Sequence, residues 1–243
     1  MSHTQWNTKQ LQFFEAIQRY ESMAIYMRIT QFVSWSNVVL QISLLILALQ
    51  QDLGVWWQLL AGALAFVLAD FVNGLVHLFM DHNTHYTSAV GPLIAAFHLH
   101  HDTPRYRDKT VWCVYVEESG SKIWLLIFSV LLLVLSVLHL IPFFWVCAGA
   151  YFVAFSMLAE ISHYMCHNSD ARLVRVLQHL WIFLPKKHHM LHHRLDNVNY
   201  AFLNGMTDPL INWIAKKYYG GYVSSTDQHL ALYQQQRKQA SPV

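Results

Sequence analysis

Histidine supplies 16 of the 243 residues, as many as lysine and arginine combined. Metal ligation is the commonest reason for such a share. The candidates gather in four boxes. The first is His77-Leu78-Phe79-Met80-Asp81. Its His77 and Asp81 are four residues apart and share one helix face. Asn73 lies one turn deeper and Asp70 two turns deeper; Asp70 reads equally as part of the site or as a structural polar group. The second box is Phe97-His98-Leu99-His100-His101-Asp102-Thr103-Pro104. Adjacent His100 and His101 can serve two nearby metals or two sides of one. His82, His85 and His98 read as well as solvated loop residues. The third box, Glu160-Ile161-Ser162-His163-Tyr164-Met165-Cys166-His167, puts His163 and His167 on one face, with Glu160 as a ligand or as an acceptor that orients an imidazole. The fourth is Pro185-Lys186-Lys187-His188-His189-Met190-Leu191-His192-His193. Proline suits a first helical turn. On a helix starting there, the four histidines fill one sector about 140° wide.

The boxes offer at least eight imidazoles plus carboxylates, more than one tetrahedral zinc site takes. Imidazole also suits iron, copper and nickel, so ligand type alone does not choose the metal. Two metal ions held mainly by histidine use all four boxes. The direct ligands expected are His77, His100, His101, His163, His167, His189, His192 and His193, with Asp81, His188, Glu160, Glu117 and His98 as further candidates.

The elements that must position these boxes are apolar. The chain is 55% hydrophobic and only 12% charged, against about a quarter charged in soluble domains. A membrane span needs about 20 mostly apolar residues. Four stretches qualify: 33–49, 55–80, 123–141 and 143–164, with breaks at Asp52–Gly54 and at Pro142 that make two hairpins. All 16 lysines and arginines precede the first stretch, lie between the second and third, or follow the fourth. By the positive-inside rule both termini and the central loop are cytoplasmic. The fold expected is an all-α integral membrane protein with four transmembrane helices, interfacial helices, and a di-metal site at the cytoplasmic face. Residues 1–32 form an interfacial N-terminal segment, with an amphipathic stretch from Leu11 to Arg28. Residues 33–232 form the membrane-embedded domain, and residues 233–243 a disordered tail. His139, beside Pro142, is interfacial and without a role. A net charge of +2 suggests no nucleic-acid partner. Cys113, Cys147 and Cys166 are too scattered for a disulfide framework or a thiolate site.

The run LADFVNGLVH with Asp81, FHLHH with Pro104, Glu117 to Gly120 (EESG), HYMCH, LPKKHHMLHH and Tyr200 resembles the plasmanylethanolamine desaturase family of lipid desaturases, relatives of a plant plastid phosphatidylglycerol desaturase. The resemblance implies a membrane enzyme that uses two iron ions and O2 to remove two hydrogens from a lipid chain. It carries a catalytic role to His77, Asp81, His100, His101, His163, His167, His188, His189, His192 and His193. The chain departs from the family pattern at Leu78, Cys113, Val114, Ser119 and Asn197.

The expected substrate is a membrane phospholipid, desaturated near the glycerol end of a chain. No nucleotide-binding glycine motif is present. Electrons must therefore come from a separate cytochrome, ferredoxin or reductase, for which Lys186, Lys187, Lys216 and Lys217 offer a docking face. A lipid hydroxylase would use the same metals. A non-enzymatic metal-binding scaffold would use them without O2. A transporter is disfavoured, because the third stretch is almost wholly apolar.

Overall fold

The computed structural model describes residues 6–102, 109–195, 197–220 and 226–240. Thr103 and Pro104, assigned above to the second box, lie outside them. Every regular element among the described residues is helical. Helix α1 (Thr8–Ser22) starts in a capping box, in which Asn7 and Gln10 satisfy each other's backbone N–H groups. Then follow α2 (Ala24–Leu49), α3 (Val55–His82) and α4 (Gly91–Asp102). Helix α5 (Val111–Glu117) is capped by Thr110 and leads through a 3₁₀ turn, Glu118–Ser121, into α6 (Ile123–Val137). Next come α7 (Phe143–Asn168), α8 (Arg172–His179), α9 (Lys186–His192) and α10 (Asp208–Tyr218). A second 3₁₀ turn, Asp227–Leu230, precedes α11 (Ala231–Ala240).

Helices α2, α3 and α7 are each long and apolar enough to cross a membrane. The fourth expected span takes a different form. Helix α6 has 15 residues, about 22 Å at 1.5 Å per residue, short of a hydrocarbon core about 30 Å thick. It reaches span length only together with the α5 segment, from which it is bent by 85°. The expected run to Ile141 stops at Val137, and His139 turns the chain with φ 53° ahead of Pro142.

The stretch from Leu11 to Arg28 is two helices broken at Met23, and α2 runs through position 32 without interruption. The tail after Tyr233 is helical to Ala240, because Gln234 and Arg237 both reach Asp102 and Leu230 and Leu232 are buried.

One face of α3 explains the architecture. Ala61, Ala65, Ala69, Asn73, His77 and Asp81 recur every four residues, and all six are buried. The small residues let α3 pack closely against α7, the most extensive helix pair. Further along, the same face changes from alanine to polar and ligating groups. Phe32, Trp35, Val39, Ile42 and Ile46 of α2 point outward and are exposed, as a lipid-facing surface requires. At Gly120 an added Cβ would lie 2.6 Å from the Thr30 carbonyl oxygen, so the first 3₁₀ turn presses onto α2 only because this residue has no side chain.

Candidate metal centre

Two groups of donors form at one end of α3 and α7. In the first are His77 and Asp81 of α3, His100 and His101 of α4 and His192 of α9. In the second are His163 and His167 of α7 with His189 and His193 from α9 and its C-cap. Within each group one donor atom per residue lies within 4.8 Å of all the others.

In the first group Nε2 of His77 is 3.1 Å from Nε2 of His100 and 3.3 Å from Oδ2 of Asp81. Oδ2 is also 3.4 Å from Nε2 of His192, and Oδ1 is 3.2 Å from Nε2 of His101. The rings are aimed from behind. Nδ1 of His77 faces the Tyr200 carbonyl at 2.7 Å, Nδ1 of His100 the Phe97 carbonyl at 2.7 Å, and Nδ1 of His192 the Val198 carbonyl at 3.0 Å. Such contacts fix the tautomer and leave Nε2 as the donor to a metal.

Among the described residues the second group contains no carboxylate. Nε2 of His163, His167 and His189 form a triangle with sides of 2.9, 3.2 and 3.0 Å, and Nε2 of His193 is 3.0 Å from that of His189. The neutral ring offers Nε2 either as a donor or as an acceptor. Three mutually close nitrogens with two roles always leave one like pair, so hydrogen bonds alone cannot satisfy the triangle. A metal ion satisfies all of them. Metal–nitrogen bonds of about 2.1 Å place neighbouring ligand atoms about 3.0 Å apart at right angles and about 3.4 Å apart in a tetrahedron, the range seen in both groups. Oδ2 of Asp81, buried and without a well-formed hydrogen bond among the described residues, is a further atom that a cation would satisfy. The residues present therefore fit a metal pair. The groups are neighbours: ring centroids are 5.0 Å apart for His101 and His193 and 5.9 Å for His100 and His163.

A profile of the lipid desaturase domain matches residues 66–216, which hold all nine of these donors and more than half of the chain. The chain belongs to the lipid desaturase family. No curated protein and no solved structure matches it. Family membership and the apolar helices together make it a multi-pass membrane protein.

Four further candidates stand outside the two groups. His188 has Nε2 2.6 Å from Oδ2 of Asp208. Around α9 the histidines run in the order His188, His192, His189, His193 at about 100° per residue. His188, at one edge of this sector, meets α10, His192 joins the first group, and His189 and His193 join the second. Glu160 is drawn to buried Lys122 at 2.9 Å, and Lys122 also donates to Oδ1 of Asn73 at 2.7 Å. Glu117 pairs with Lys109. His98 lies between the Tyr86 hydroxyl, at 3.0 Å, and the Met80 carbonyl, at 2.7 Å.

Asp70 is structural. Its carboxylate accepts from the backbone N–H groups of Asn204, Gly205 and Thr207 and from the Thr207 hydroxyl. This anchors the loop whose Val198 and Tyr200 carbonyls aim His192 and His77. Asp208 supports the same loop by accepting from the Ala201 N–H at 2.8 Å. Sequence reasoning gave Asp208 no role, because a lone aspartate before proline reads as a helix start.

Burial holds His100 and His189 well below the usual histidine range, and the neighbouring rings add to the effect. His193 is lowered by burial and by His101. These rings are neutral at pH 7, the form that ligates. His101 shifts the other way: burial is the largest single influence and opposes its charge, but Asp81 and Asp227 together raise it.

A cavity of about 470 Å³ reaches both groups through His77, His100 and His163. Phe97, Met80 and Phe202 supply apolar wall, while exposed Trp35, Trp112 and Glu117 mark its outer end.

Proposed function

We propose that this chain is an O2-dependent desaturase that uses two iron ions to introduce a double bond into a membrane glycerophospholipid chain. The favoured products are a vinyl ether on an alkyl-ether phospholipid of the plasmanylethanolamine type and an acyl double bond near the glycerol end. The observation that carries the reading is one cavity, walled in part by Phe97, Met80 and Phe202, that reaches two adjacent histidine-rich donor groups. The cavity volume falls within the ~300–1,000 Å³ common for ligand sites. Its outer end holds Glu117, Glu118 and Lys109. Two carboxylates against one ammonium suit a headgroup that bears an amine.

Two C–H bonds break and one carbon–carbon π bond forms. O2 takes up those two hydrogens with two electrons and two protons and leaves as two waters. The metals, when bound, supply the oxidising power. The chain's own residues do the rest. Asp81 and the eight histidines hold the ions, and the Tyr200, Val198 and Phe97 carbonyls aim three of the rings. Phe97 and Phe202 keep water from the reacting carbons. The Lys122–Glu160 pair ties the start of α6 to α7, which fixes the cavity wall. The distribution of lysine and arginine supports a four-span arrangement in two hairpins with cytoplasmic termini, and a site at headgroup depth. A separate cytochrome, ferredoxin or reductase delivers the electrons, and exposed Lys187, Lys216 and Lys217 suit an acidic carrier.

The test is elemental analysis of protein from iron-replete cells, followed by mass spectrometry of phospholipids incubated with the reduced protein and air. Two irons per chain and a lipid that has lost two hydrogens are expected. A lipid that has gained one oxygen would make the enzyme a hydroxylase. Stoichiometric zinc without iron would end the oxidative reading and leave a metal-binding scaffold.

A further inference from the structure

The second 3₁₀ turn and α11 lie beyond the stretch matched by the family profile, yet they pack onto α1 and α4, and α4 carries His100 and His101. Leu230 is buried with Phe13 and Ile17 of α1 and with Ile94 and Ala95 of α4. Polar contacts hold the same segment. Nε2 of Gln10 donates to the Gln228 carbonyl at 3.1 Å, and Nε2 of Gln234 donates to Oδ1 of Asp102 at 2.8 Å. The Tyr86 hydroxyl lies 3.0 Å from Nδ1 of His229.

Held in this way, Asp227 brings Oδ1 to 3.7 Å from Nδ1 of His101, an ion-pair distance. Nε2 of His101, on the other side of the ring, faces Asp81 and the first donor group. His77, His100 and His192 present Nδ1 to backbone carbonyls; His101 presents it to a carboxylate. A carboxylate beside Nδ1 of a ligating imidazole favours the tautomer with its proton there and makes the opposite nitrogen, Nε2, a stronger donor. We propose that Asp227 is a positioning residue for His101, so that the C-terminal segment completes the first donor group and sets its metal affinity. This rests on the two-metal reading above.

The experiment is Co(II) titration of the metal-free, full-length protein in detergent, followed by visible absorption, for wild type, Asp227→Asn and Asp227→Glu. Wild type takes up two ions. Asp227→Asn weakens one of the two events by roughly 10–100-fold and shifts its spectrum while the other is unchanged; Asp227→Glu restores it. Two unchanged events in Asp227→Asn overturn the inference and leave the two-metal reading standing. Equal weakening of both events, without rescue by glutamate, reduces Asp227 to a general packing contact and also overturns it. A wild-type protein that takes up no ion overturns the two-metal reading, and the inference with it.

Discussion

The two donor groups are built to different plans. The first mixes four imidazoles with one carboxylate, draws on α3, α4 and α9, and has its rings braced by carbonyls of a loop and of α4. The second is four imidazoles from α7 and the α9 segment, and Nδ1 of buried His189 has no hydrogen-bond partner among the described residues. The difference lies in how each is held. The second group needs only two neighbouring helical segments, each with histidines four residues apart. The first needs α4, the 198–207 loop and the C-terminal segment to be docked. Its geometry is a property of the whole fold, and it should be the group that distant substitutions disturb.

Replacing His192 and His193 together by alanine removes one ligand from each group. Both metals and all product formation should be lost, a larger effect than the roughly 10–100-fold of an outer partner. Retention of one full metal would show that the groups do not share α9 in the way described. Asp81→Asn acts on the first group alone. Metal content should fall from two per chain toward one, with activity lost; an unchanged second-group spectrum is the control. Asp70→Asn puts an amide N–H₂ where backbone N–H groups now donate. Loosening of the loop should weaken only the first metal, by roughly 10–100-fold, as read by competition with a chelator. Equal loss at both sites would mean that the loop supports the whole centre. The smallest metal effect belongs to His188→Ala. Two metals should remain, while thermal unfolding reports a loss of about 1–3 kcal/mol for a buried Asp208 left without its partner.

Much of this centre was legible in the sequence. His77 with Asp81 and His163 with His167 are read from four-residue spacing, because a helix brings such pairs together without tertiary help. The apolar helices were legible for the same local reason. The bend between α5 and α6 was not: Leu and Val composition does not show where a helix stops. Nor were the partners of His188, Glu160, Glu117 and His98. Each has a donor's chemistry, and each contacts a partner that helix spacing does not reveal: Asp208, Lys122, Lys109, and Tyr86 with Met80.

The sequence alone determined that this is a helical membrane chain with more imidazole donors than one metal can use, gathered at the ends of apolar helices. Composition and periodicity are local, and they survive without a fold. Only the tertiary structure decided which donors meet. It divides the α9 histidines between two groups and a structural pair, makes Asp70 a loop anchor, and brings Asp227 to His101. Those outcomes depend on how helices are rotated and docked, and that is set by burial and by partners far away in the chain.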